Sequence, residues 1–188
     1  MANLPPMDLF GSSYTMDKNA IMENLAHLNE ELKTRNVQGK IALVGGAVMC
    51  LVLKTRESTH DIDAIFEPKS IIYECIETTA RKHNLPKNWL NDSVKGFMSQ
   101  NAEFQPHVEL SNLDILVATP EYMLAMKCLS SRAESESEMD DIKSLIQHLE
   151  INNYSAVEAV MLKYYPITRF QAKTKYIIQE VIDELYPQ

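Results

Sequence analysis

Apolar residues recur at helical spacing near the start of the chain. Ile21, Leu25, Leu28 and Leu32 stand behind Asp17, which predicts a helix capped by Asp17 and running to about Arg35. The period then changes. Ile41-Ala42-Leu43-Val44 is short and apolar enough for a buried strand, Gly45-Gly46 turns the chain, and Ala47 to Leu53 reads as a helix start. Asp61-Ile62-Asp63-Ala64-Ile65-Phe66 alternates strictly, which predicts a strand with Ile62, Ala64 and Phe66 toward the core. Ile71, Ile72, Cys75, Ile76 and Ala80 predict a helix to about His83. Phe104 to Leu110 reads as an edge strand limited by Pro106, and Leu113 to Ala118 as a third main strand. Thr119 and Pro120 then open a helix, as cap and first helical residue. A second helix follows with Ile142, Leu145, Ile146 and Leu149. The tail reads as two more, with capping boxes at Ser155/Glu158 and Thr168/Gln171.

Composition narrows the class. The 188 residues, 45% hydrophobic and 23% charged, suit a single domain with a helical extension rather than two independent domains. A net charge of −8 argues against a protein that coats nucleic acid without specificity, because such proteins present a basic face. Cys50, Cys75 and Cys128 are unclustered and sit in apolar helical contexts, so they read as buried reduced thiols. The opening stretch MANLPPMDLFGSSY has no basic region and no long apolar run. The longest apolar run, Ile41 to Leu53, is interrupted by Gly-Gly. The reading therefore expects neither a signal peptide nor a membrane span, and a cytoplasmic location.

Candidate chemistry concentrates between Ile41 and Phe66. Strand, Gly45-Gly46 and helix form an anion site, because glycine lets backbone N–H groups approach a ligand and the helix dipole favours negative charge. Asp61 and Asp63, two apart on one strand, project from the same face. Paired carboxylates repel unless a cation lies between them, and a hard divalent cation with oxygen ligands is the usual solution.

Gly-Gly, a helix and then Asp-x-Asp on a strand resembles the nucleotidyltransferase superfamily of the DNA polymerase β type. The resemblance implies an α+β fold: a small mixed β-sheet with flanking helices, followed by a C-terminal helical extension. Its expected division is an irregular segment over 1–16, a core over 17–118 and a helical region over 119–188 packed on the core. The family adds a third carboxylate on a later strand, and Asp114 in Leu113-Asp114-Ile115-Leu116-Val117 is the matching position. By resemblance, Asp61, Asp63 and Asp114 are the catalytic residues and the ligands of Mg²⁺ (or Mn²⁺), with an NTP as substrate. Gly45, Gly46, Arg56, Thr59 and Lys127 are the expected nucleotide-binding residues. Fourteen residues separate Gly46 from Asp61, slightly more than the family's usual gap, so the helix or loop between them must absorb the excess.

Two further segments carry resemblance. Leu85-Pro86 ahead of Trp89-Leu90-Asn91-Asp92 is similar to a branch of small bacterial nucleotidyltransferases, which implies that Asn91, Asp92 or Lys95 borders the site. Lys127, Arg132 and Asp140-Asp141-Ile142 resemble the helix pair of AbiEii-like and minimal nucleotidyltransferase toxins, with Arg132 and Asp141 also readable as an ion pair joining two helices. The function implied is transfer of a nucleotide from an NTP to an RNA end, such as that of a tRNA, or to a protein hydroxyl. A toxin of this kind takes an antitoxin protein as partner. The alternative is an inactive member that binds a nucleotide or a protein partner. Nucleotide-adding tRNA enzymes of class II share Gly-Gly-Ala-Val but continue with Arg-Asp, where this chain has Met49-Cys50.

Overall fold

In the computed structural model, which describes residues 14–130 and 136–187, the alternation of strand and helix resolves into one five-stranded mixed sheet with helices around it. The strands are β1 (Met16–Asp17), β2 (Gly39–Val44), β3 (Ser58–Thr59), β4 (Ile62–Glu67), β5 (Leu90–Asn91), β6 (Phe104–Glu109) and β7 (Leu113–Ala118). The helices are α1 (Lys18–Thr34), α2 (Gly45–Val48), α3 (Lys69–His83), α4 (Pro120–Ser130), α5 (Glu136–His148), α6 (Tyr154–Tyr164) and α7 (Ala172–Leu185). The main sheet has the order β5-β4-β2-β7-β6, and β1 pairs with β3 apart from it. β2 runs antiparallel to β4 and parallel to β7, while β6 closes the far edge antiparallel to β7. This is the α+β architecture with a small mixed sheet that the sequence predicts.

The two sheet faces differ as the strand periodicity dictates. Ile41, Leu43, Ile62, Ala64, Leu113, Ile115 and Val117 are buried on one face. A Cβ added to Gly39, on that same face, would meet Leu32 of α1, Ile72 of α3 and Leu113, so these two helices cover it. The face that carries Asp63 is only partly covered, and Ile65 and Leu116 are half-buried there. Trp89 is fully buried and its indole donates to the Ile76 carbonyl (3.3 Å), so it is a core anchor beneath β5. Cys50, Cys75 and Cys128 are buried thiols, and burial pushes the Cys128 thiol up to about 12. No helix among the described residues is long and apolar enough to cross a membrane.

The helix ends test the capping readings. Asp17 caps α1 by accepting from the Ala20 amide (2.8 Å), and the Thr119 hydroxyl oxygen accepts from the Tyr122 amide (3.4 Å). The two boxes in the tail are not used. Asn153 caps α6 by accepting from the Ala156 amide, and α7 starts after Gln171 with no side-chain cap, Thr168 lying in a preceding 3₁₀ turn. Beyond α2 the helix widens into a π-helical turn over Met49–Leu53 and ends at Lys54 in the left-handed region. A π turn carries an extra residue, which takes up part of the long interval between the glycines and Asp61.

α1 is pinned to the β6–β7 turn by a polar contact that periodicity does not show. Asn29 is buried, accepts from the Asn112 amide (2.8 Å) and donates to the Ser111 hydroxyl (3.2 Å). Asn29→Ala strands a buried amide, so unfolding in urea should show a loss of about 1–3 kcal/mol with an unchanged slope. An unchanged midpoint would contradict this role.

Candidate functional site

The site is assembled where β2 ends and β4 begins. Their antiparallel register sets Val44 opposite Asp63, so the chain leaves β2 beside the carboxylate. Gly45 makes the turn with φ 66°, a conformation that favours glycine, and a Cβ there would lie 3.3 Å from Asp63 Oδ2. At Gly46 a Cβ would lie 2.4 Å from Thr59 Oγ1, closer than real atoms pack. Both glycines are thus required by close approach, one to a carboxylate and one to the strand ahead of it.

Asp61 lies near enough for its charge to act on Asp63, and both carboxylates face Asn91. Asn91 Nδ2 donates to Asp61 Oδ2 (3.1 Å), and the Ser93 hydroxyl lies 3.3 Å from Asp63 Oδ1 and 2.5 Å from Asn91 Oδ1. Asn91 reaches the pair because β5 runs parallel to β4 with Asn91 opposite Asp63. Of the residues expected to border the site, Asn91 does so, whereas Asp92 turns to Lys69 and Tyr73. Ser93 was not foreseen; its only signal is its place two residues after Asn91. Burial pushes the Asp63 carboxyl above its ordinary range, and the Asp61 charge adds to the rise against opposing contributions from Ser93, Lys127 and Asn91.

Across the cavity stands a cation cluster. Lys127 on α4 lies 2.6 Å from Asp141 Oδ2, and Arg56 donates from Nε and Nη2 to the two carboxylate oxygens of Asp141, each at 2.7 Å. Arg56 Nη2 also donates to the Ser137 carbonyl (3.2 Å). Asp141 is 2% exposed, so one buried acid is shared by two cations, leaving a net +1. Lys127 lines a cavity of about 240 Å³ together with Gly45, Asp63, Ser93 and Glu138, and Phe97 and Met126 belong to its apolar part.

Three of the expected site residues have their own partners in the fold. Arg56 engages Asp141 through both oxygens and is not among the residues lining the cavity, so it clamps the loop after α2 to α5. Thr59 is buried and donates to the Asp61 carbonyl (3.1 Å), so it holds the loop that presents the acids. Asp114 does not join the acid pair. It lies opposite Lys40 at the start of β7, and Lys40 is four positions before Val44 on β2, which is about 13 Å along the strands. Gln38 donates to Asp114 there (3.3 Å). No group of three His, Cys, Asp or Glu side chains suited to a metal occurs among the described residues. Arg132 lies outside the described residues, and Asp141 has Arg56 and Lys127 as partners. His60 Nδ1 lies 3.0 Å from the Tyr14 carbonyl oxygen, a contact between the loop and the segment ahead of β1.

The Asp63 shift fixes a sign. The native protein binds this proton more tightly than the unfolded chain, so stability falls as pH rises from the ordinary carboxylate value through the raised one. Asp63→Asn removes that loss. In EDTA the variant should melt above the parent at pH 7, and the difference should shrink toward pH 4. A variant that melts lower at pH 7 would contradict the electrostatic account.

Comparison with known proteins agrees with the geometry. Residues 20–161 match the model of a family described as nucleotidyltransferase of unknown function (DUF6036). No curated protein and no solved structure matches the chain. The matched span contains the Gly45-Gly46 turn, the Asp61/Asp63 pair, Lys127 and Asp141, and the chain belongs to this nucleotidyltransferase family.

Proposed function

We propose that the chain transfers a nucleotidyl group from an NTP to an acceptor hydroxyl, on an RNA end or on a protein, with a divalent cation at Asp61 and Asp63. The observation that carries this reading is the sharing of one cavity by Gly45, Asp63 and Lys127. Two carboxylates lie side by side, one with a raised proton affinity caused by burial and by its neighbour, and a cation relieves that strain in charge. The residues fit one Mg²⁺ or Mn²⁺, which takes few carboxylates and completes its shell with water and phosphate oxygens. Such an ion supplies charge stabilisation at the phosphoryl group when bound.

The chain's own residues perform the remaining tasks. Asn91 holds Asp61 in place, and Ser93 shares its hydroxyl between Asn91 and Asp63. Gly45 lets the backbone approach the ligand at the cavity floor. Lys127 places positive charge opposite the acids, where NTP phosphates gather charge as the α-phosphorus is attacked. Asp141 keeps Lys127 fixed in direction. A toxin setting, with an antitoxin protein as partner, rests on the resemblance of the Lys127 and Asp141 helix pair alone.

One observation favours a second reading, a member that binds nucleotide without transferring it. The acid that would complete a two-metal centre, Asp114, stands at the other end of the sheet. The two readings share their binding predictions and part at turnover. Calorimetry with NTP and Mg²⁺ should show the metal-dependent part of binding lost in Asp61→Ala and Asp63→Ala and kept in Asp114→Asn. Retention of that part in both alanine variants would reject the site. With labelled NTPs and a range of RNA and protein acceptors, the parent should transfer label, and Lys127→Ala should lower the rate by about 10²-fold. Binding with no transfer to any acceptor would establish the second reading.

A further inference from the structure

The sheet face that carries Asp63 is ordered in three cross-strand rows. Asp63 stands opposite Val44, with Phe104 opposite Ala118 at the same end of the sheet. Next comes an apolar row, Ile65, Ala42, Leu116 and Pro106. Last comes a charged row, Glu67, Lys40, Asp114 and Glu109. Residues directly opposite one another share a face, so all three rows look the same way. Ile65 and Leu116 are half-buried, and Glu67, Lys40 and Glu109 are exposed. A hollow of about 280 Å³ lies here, with Ile65, Leu116 and Phe104 among its walls and Lys40 and Glu67 at its end. The last row holds three acids and one lysine, a net −2.

We propose that the acceptor is a polypeptide lying extended along this face with a Ser, Thr or Tyr hydroxyl at Asp63. The inference rests on the transfer reading and names its substrate class. Rows two residues apart are spaced by about 6.6 Å, the repeat of an extended peptide's alternate side chains. A peptide aligned with the strands therefore sets an apolar residue two positions from the hydroxyl over Ile65 and Leu116. It sets a basic residue four positions away against Glu67, Asp114 and Glu109. A nucleic acid on the same path would bring its phosphates to those acids, on a chain of net charge −8. In the transfer the hydroxyl oxygen bonds to the α-phosphorus of the NTP. The bond from that phosphorus to the bridging oxygen breaks, pyrophosphate leaves, and the hydroxyl proton passes to solvent. Asp114, remote from the acid pair, thereby acquires a role in acceptor recognition.

The test uses the full chain, Mg²⁺, each α-labelled NTP in turn and three acceptors. These are a peptide with Lys, Leu and Ser at two-residue intervals, its Glu-for-Lys counterpart, and total tRNA. Label should enter the lysine peptide, with kcat/KM at least about 10-fold above the glutamate peptide. Glu67→Lys combined with Asp114→Lys should reverse that preference, and Leu116→Arg should abolish peptide labelling while NTP binding stays unchanged. Label on tRNA in place of peptide, or labelling indifferent to peptide charge and to Leu116→Arg, overturns the proposal. So does sedimentation showing a dimer that Leu116→Arg dissociates, since a second copy would then own the face. An NTP-binding measurement made first separates the causes: no binding removes the transfer reading, and this inference with it.

Discussion

Everything at the site depends on one register, the antiparallel pairing that sets Val44 opposite Asp63. Because β2 ends at that pair, the turn after it must pass within contact distance of a carboxylate, and only a residue without a Cβ that tolerates positive φ can make it. A slip of one residue would rotate Asp61 and Asp63 to the face covered by α1 and α3 and carry Ile62 and Ala64 into solvent. The buried row Ile41, Leu43, Ile62, Ala64 holds the register, so the core that stabilises the sheet also aims the acids.

The second constraint is electrostatic. Two acids on the strand and two cations on the opposite side are each too closely grouped to stand alone, and the chain treats them differently. The cations receive an internal counterion, Asp141, buried and bonded through both oxygens to Arg56 and through one to Lys127. Removing one member of such a buried group costs about 3–5 kcal/mol, which makes the clamp a structural element as well as an orienting one. Among the described residues, the acids receive no cation in direct contact. Asn91 and Ser93 provide only neutral hydrogen bonds, and the proton affinity of Asp63 stays raised. The asymmetry leaves negative charge on the acid side and a paired cation cluster on the other, and this contrast is what the proposed function uses.

Much of this was legible in the sequence because it is local. The stripe on α1, the alternation of β4, the Gly-Gly turn and the spacing of Asp61 and Asp63 are properties of short windows, and all appear where periodicity puts them. Asp114 was misplaced for a definite reason. Its strand was identified correctly, but the end of the sheet at which a strand's first residues lie depends on its direction. β7 runs parallel to β2, so its start falls far from Gly45. Single-sequence periodicity carries no sign of direction. The Arg56 contact is illegible for a related reason, since its partner Asp141 is 85 residues away and nothing in either neighbourhood announces the other. The box readings of α6 and α7 differ from the structure because Ser155 lies two residues past the cap Asn153 and Thr168 three residues before Gln171, after which α7 begins.

The central claim, that one cation joins the nucleotide at Asp61 and Asp63 and not at Asp114, is tested most directly by paramagnetic broadening of backbone amides with Mn²⁺ and an NTP. The account predicts that the amides of Gly45, Asp63, Asn91 and Ser93 broaden first, while those of Asp114 and Glu109 stay sharp at the same Mn²⁺ concentration. Broadening centred on Asp114, or none near the acid pair, would contradict it.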